Sequence, residues 1–126
     1  MRDCEEKRRY VTMGKQIVEN ISKKIGFTPD IMKTIGEIDP SFLRMYQKCD
    51  EGVLKDGALS VKVKTLMALA AVAAQRCEPC VESQMRNAIN NGATKEEIIE
   101  TLEVVFMTSG APGVAMFRNA LKQLKD

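Results

Sequence analysis

Pro79 is the residue that most constrains how this chain can fold. It stands between Cys77 and Cys80, just after the run VKVKTLMALAAVAAQR. A proline has no amide hydrogen and clashes with the preceding turn, so no regular helix runs through it unbroken. The run ahead of it is apolar on every side from Leu66 to Ala74, the pattern of a helix buried all round. The spacing therefore predicts a central buried helix capped by Ser60, a break near Cys77, and a new helix from about Glu78. That second helix carries Val81, Met85, Ala88 and Ile89 at i, i+4, i+7 and i+8. Asn91-Gly92 ends it in a left-handed turn.

The rest of the chain carries helical punctuation and few strand signals. Aromatics are scarce, and no stretch alternates apolar with polar residues for long. From about Cys4 to Lys24, Tyr10, Met13, Ile17 and Ile21 form a narrow apolar stripe on a charged helix, which Gly26 ends. Thr28-Pro29 reads as an N-cap followed by proline in the first helical position, opening a short helix with Ile31, Met32 and Ile35. Asp39-Pro40 repeats that signal ahead of Phe42, Leu43 and Tyr46, and the segment fades by Gly52 into a loop that turns at Asp56-Gly57. Thr94 and Glu97 form a capping box before Ile98, Leu102, Val105 and Phe106. Ser109-Gly110 stops that helix, and Pro112 opens a last one with Val114, Phe117, Leu121 and Leu124 as its buried stripe. The expectation is a single all-α domain over 1–126, a bundle of six or seven helices, with residues 4–24 as an N-terminal arm.

Charge and hydropathy exclude some classes of function. The formal charge is only +2, and Lys and Arg are interleaved with Glu and Asp, so there is no basic stripe for nucleic acid. The opening MRDCEEKRRY is mostly charged, unlike a secretory signal. The run Leu66–Ala74 is far shorter than the roughly 20 residues that cross a bilayer. A cytosolic protein without nucleic-acid or membrane partners is expected.

In a reducing compartment four cysteines do not read as two structural disulfides. Cys4 and Cys49 are isolated and read as ordinary thiols, whereas Cys77 and Cys80 have a spacing that chemistry uses. At a helix start, Cys-x-x-Cys puts two sulfurs within disulfide reach, and the positive end of the helix favours a thiolate. Arg76 helps in the same direction, while Glu78 and Glu82 oppose it. These features suit a dithiol that cycles to a disulfide. An inert pair and half of a zinc site are the alternatives. Zinc usually takes four ligands, and with no His in the chain it would need carboxylates or a second subunit. No metal and no cofactor are expected.

The run DGALSVKVKTLMALAAVAAQRCEPCVESQMRNAINNGATKEEIIETL resembles the hallmark region of the carboxymuconolactone decarboxylase / alkyl hydroperoxidase D-like family. The order carries the resemblance: a Leu-Ser helix start, an Ala-rich helix ending in Cys-x-x-Cys, a helix ending in Ala-x-x-x-Gly-Ala-Thr, then a Glu-Glu-Ile start. The family-like core extends over about 40–121. The resemblance implies an alkyl hydroperoxidase D-like helical bundle assembled as trimers or hexamers. It further implies a thiol–disulfide oxidoreductase that reduces hydroperoxides or passes electrons to a partner peroxiredoxin. By family position Cys80 is the attacking thiolate and Cys77 resolves it; true lactone decarboxylases generally lack the pair.

Two departures bear on that activity. The family's peroxidase motif has His four residues after the second cysteine, where this chain has Gln84. The Glu it places about three turns before the first cysteine is here Thr65. Neither replacement titrates near neutral pH, and losing a positioned proton carrier costs on the order of 10²–10⁴-fold in rate. Gln84 and Thr65 are expected to line the pocket as polar positioning groups. The alternative is a non-catalytic oligomer with a vestigial site. A lyase or isomerase ranks last, because no general base is evident.

Overall fold

A computed structural model of the chain describes residues 3–25 and 29–125. It is all-helical, with six α-helices, one 3-10 helix and no strand among the described residues. The helices gather into two compact units, Met1–Lys55 and Asp56–Asp126.

The first unit holds α1 (Cys4–Ile25), α2 (Asp30–Ile38) and α3 (Pro40–Val53). Helices α1 and α2 cross at Gly14 and Gly36, both buried. A Cβ on Gly14 would overlap the Gly36 carbonyl oxygen, so glycine is what lets the two backbones meet. Ile17 and Leu43 are buried with them. As the sequence predicts, Asp39 caps α3, its Oδ1 accepting from the Phe42 N–H at 3.2 Å, with Pro40 in the first turn. The same Oδ1 accepts from the Tyr10 hydroxyl at 3.1 Å and ties the cap to α1. Lys24 pairs with Asp50 near the other end of α3.

One expectation shifts here, at the start of α2. Pro29 takes the N-cap place of α2, with extended ψ of 129°, instead of the first helical position; its carbonyl accepts from Met32 and Lys33. Gly26 and Thr28 lie outside the described residues. Phe42, Tyr46 and Ile31 are exposed, because each of the three helices buries only one narrow line of residues.

The second unit holds α4 (Val61–Ala74), α5 (Glu78–Asn90), α6 (Lys95–Ala115) and a 3-10 helix (Ala120–Leu124). Ser60 caps α4 as expected, accepting from the Val63 N–H at 3.2 Å. Asp56 adds a bond to the Val61 N–H at 2.9 Å. The capping box of α6 is complete, with Thr94 N–H on Glu97 Oε2 at 2.9 Å and Glu97 N–H on Thr94 Oγ1 at 3.1 Å. Leu69, Ala73, Val81, Met85, Ile98, Val105, Phe117 and Ala120 form the core. Burying a side chain such as Leu69 stabilises by about 1.5–3 kcal/mol.

Helix α4 is not buried all round. Thr65, Leu69 and Ala73 form its buried line, and Met67 is 55% exposed. Phe106 leaves its expected stripe and is 59% exposed; it is one residue, about 100° of helix, away from the buried Val105. Gly110 breaks the helical backbone of α6 with φ 68°, as Ser109-Gly110 predicts. Beyond Gly110 the chain does not form the single continuous helix expected. A short helical segment ends at Ala115, residues 116–119 turn, and the 3-10 helix completes the tail. Phe117 and Ala120 fix this tail in the core, while Val114, Leu121 and Leu124 are only half-buried. By length and composition alone, α6 would be long and apolar enough to cross a membrane.

Candidate functional site

The dithiol stands where α4 ends and α5 begins, and the turn between them is built by hydrogen bonds. The Arg76 N–H reaches the Ala73 carbonyl at 3.0 Å and the Cys77 N–H reaches the Val72 carbonyl at 3.1 Å. These are the two bonds of a helix-ending motif whose turning residue is left-handed. Here that residue is Arg76, with φ 59°. The end of α5 repeats the motif with Gly92 at φ 90°, its N–H on Ile89 and the Ala93 N–H on Ala88. Glycine adopts this backbone freely, whereas a residue with a Cβ is strained there.

Cys77 then occupies the N-cap of α5, with extended backbone and no capping side-chain bond. Its sulfur is bonded to Cys80, with the two Cα atoms 5.2 Å apart. Both cysteines are half-buried. Cys80 falls in the first turn, where helix N–H groups lack intrahelical partners and favour negative charge on sulfur once the bond is reduced. Pro79 occupies the first turn as well, where its missing N–H removes no helix bond. The other cysteines, Cys4 and Cys49, are free and exposed.

Glu78, between the two cysteines, does not stand as an unopposed negative charge. Arg118 Nε donates to its Oε1 at 3.0 Å and Arg118 Nη2 to its Oε2 at 2.8 Å. Asn119 Nδ2 adds a bond to Oε1 at 2.6 Å. This clamp holds the Glu78 carboxyl below the usual range, chiefly through the Arg118 hydrogen bonds. Sequence reasoning missed both partners. They lie some forty residues away in a stretch whose periodicity reads only as an apolar stripe.

Thr65 and Gln84 occupy different settings. Thr65 is fully buried on α4, and its hydroxyl donates to the Lys62 carbonyl at 2.7 Å. It is thus satisfied by its own helix. Eight residues on, Ala73 is about 12 Å further along the axis at 1.5 Å per residue, beside the turn that carries Cys77. Gln84 lies one turn beyond Cys80 on α5, half-buried, and its Oε1 is enclosed without a hydrogen-bond partner. Among the described residues, no three of His, Cys, Asp and Glu gather as a metal would require. A cavity of about 510 Å³ lies in the first unit, lined by Val11, Gly14, Val18 and Gly36 with Lys15 and Lys33. It holds neither cysteine of the pair.

The chain as a whole is similar to known proteins. The chain is 36% identical to an uncharacterized protein of Methanocaldococcus jannaschii over 95 residues, 75% of this chain and 88% of that one. It is 32% identical to an uncharacterized protein of the Paracoccus denitrificans cox locus, over 71% of this chain and 77% of that one. Among solved structures, a carboxymuconolactone decarboxylase family protein of Legionella pneumophila matches the fold with a TM-score of 0.66 at 23% identity, over 90% of this chain and 97% of that one. A Thermotoga maritima protein matches with a TM-score of 0.66 at 25% identity, over 87% and 90%. The model of the carboxymuconolactone decarboxylase family matches residues 40–124, from the start of α3 through the 3-10 helix, and the chain belongs to that family.

Proposed function

We propose that the protein is a thiol–disulfide oxidoreductase that reduces hydroperoxides with the Cys77–Cys80 dithiol. One observation carries the reading: the two sulfurs are bonded at the start of α5, with Cys77 at the N-cap and Cys80 in the first turn. In the reduced protein, the Cys80 thiolate attacks the outer oxygen of the hydroperoxide. The O–O bond breaks, the alcohol leaves with a proton, and Cys80 becomes a sulfenic acid. Cys77 then attacks that sulfur, water leaves, and the disulfide closes. A dithiol reductant, such as that of a peroxiredoxin system, returns two electrons and two protons. Gln84 holds no titrating proton, so protons come from solvent and the cycle is slow relative to one served by His.

The test is chemical. A stoichiometric alkyl hydroperoxide is added to the reduced protein, free thiols are alkylated, and the sites are mapped by mass spectrometry. Rapid loss of alkylation at Cys77 and Cys80 together is expected. If both remain alkylatable, the second reading takes over: a non-catalytic family member with a vestigial site. The Thr65 hydroxyl favours that second reading, being satisfied within its own helix.

Self-association as a trimer or hexamer belongs to the same proposal. Val63 and Met67 on α4 and Val104, Phe106 and Met107 on α6 are exposed apolar side chains, of the kind that subunit contacts cover. A monomer by light scattering at micromolar concentration would overturn it. The thiol chemistry fits the cytosol, where reductants keep such a pair cycling.

A further inference from the structure

The grip of Arg118 and Asn119 on Glu78 has no evident structural need. It holds an exposed tail residue to the first turn of α5, while Phe117 and Ala120 already bury that tail in the core. Its chemical consequence is larger. Glu78 is the residue next to Cys77 and two before Cys80. A free carboxylate there would raise the energy of a thiolate on either sulfur, against the favourable field of the helix start. Both carboxylate oxygens are instead engaged, one by Arg118 Nε and Asn119 Nδ2, the other by Arg118 Nη2. Bidentate pairing of this kind fixes geometry as well as charge.

We propose that Arg118, with Asn119, is a positioning residue for the dithiol, cancelling the Glu78 charge between the two cysteines so that the reduced pair reacts as thiolate. Arg118 touches no reacting atom in this scheme and acts only through Glu78. The proposal rests on the dithiol reading for its purpose, but thiolate reactivity can be measured whether or not hydroperoxides are substrates. The other charges on this stretch are Arg76 before the pair and Glu82 and Arg86 after it, while α4 and the 3-10 helix, both packed against α5, contribute Lys62, Lys64 and Lys122, the last donating to Asn119 Oδ1 at 3.3 Å. Of these, Lys62 is occupied by Glu97 at 2.8 Å.

The experiment follows alkylation of the fully reduced protein by iodoacetamide at fixed neutral pH, with site mapping. It compares wild type, R118Q, E78Q and the double variant E78Q/R118Q. Charge cancellation predicts that R118Q slows alkylation at Cys77 and Cys80 by about threefold or more, as loss of a neighbouring cation should. It predicts that the double variant returns to within about twofold of wild type, since the charge to be cancelled is gone. E78Q alone is expected to react at least as fast as wild type. A tail that merely needs its anchor would leave the double variant as impaired as R118Q, which overturns the proposal, as does an R118Q rate equal to wild type. Should R118Q fail to fold, E78Q decides alone, and alkylation slower than wild type overturns the proposal. Alkylation in the predicted order, in a protein inert to hydroperoxide, leaves the clamp standing and removes the peroxidase reading.

Discussion

The Cys77 N–H donates to the Val72 carbonyl at 3.1 Å, and this bond sets where the dithiol stands. It closes α4 behind a left-handed residue and delivers Cys77 to the N-cap of α5 with its backbone extended. The turning residue is Arg76 at φ 59°, where the equivalent turn after α5 uses Gly92. A left-handed residue with a Cβ costs about 1–2 kcal/mol.

Arg76→Gly should therefore stabilise the fold. Glycine removes the Cβ strain but gains more freedom in the unfolded chain, leaving a net gain of about 0.5–1 kcal/mol. Urea denaturation of the oxidised protein measures it, and Arg76→Val should lower stability in the same assay. A less stable glycine variant would mean that the Arg76 side chain contributes more than its backbone strain removes.

Cys80→Ser and Cys77→Ser should each abolish hydroperoxide turnover while leaving helix content by circular dichroism unchanged. The closed loop is short, so its loss removes little chain-entropy stabilisation. Full turnover in either variant would sink the assignment of the pair.

Gln84→His should raise the rate of the hydroperoxide reaction by on the order of 10-fold or more, by restoring a titrating group one turn from Cys80. The gain should appear with a pH dependence centred near the histidine range, about 6.5. Stopped-flow oxidation of the reduced variant across pH reads both. A flat profile with no rate gain would show that position 84 does not reach the sulfurs.

Gly14→Val should unfold the packing of α1 on α2, because its Cβ would overlap the Gly36 carbonyl. Overpacking of this kind costs about 1–3 kcal/mol or more. Hydrogen exchange should register the loss in residues of the Met1–Lys55 unit.

Glu97 links stability to pH. Its carboxyl is held below the usual range, first by the Lys62 ammonium and then by the Thr94 N–H of the capping box. A carboxyl with a lower pKa in the folded state stabilises fully above its unfolded value, about 4.3, and loses that contribution as pH falls through the folded value. Glu78, lowered by Arg118, has the same sign. Denaturation midpoints should fall as pH is lowered from about 6 to about 3, and the fall should be shallower in Glu97→Gln. An identical slope in the variant would remove Glu97 from the account.

Features that rest on local chemistry are legible in the residues themselves. Asp39, Ser60 and Thr94 cap the helices they precede, because a side-chain oxygen satisfies free N–H groups within three residues of itself. Pro79 confines the start of α5 to the residues just before it, and Gly110 breaks the helical backbone where it stands, since proline is tolerated only in a first turn and glycine alone enters the left-handed region cheaply. The Cys-x-x-Cys spacing likewise brings the sulfurs together within one turn. Long-range packing settles the remainder. Whether Val105 or Phe106 faces inward depends on which line of α6 meets α4, and periodicity over an all-apolar stretch cannot select it. The α4 helix reads as buried on every side for the same reason, although this chain covers only the line of Thr65, Leu69 and Ala73. The Glu78 clamp is the clearest case: it joins residues forty positions apart, and only the folding of the tail at Phe117 brings Arg118 and Asn119 to the residue between the two cysteines.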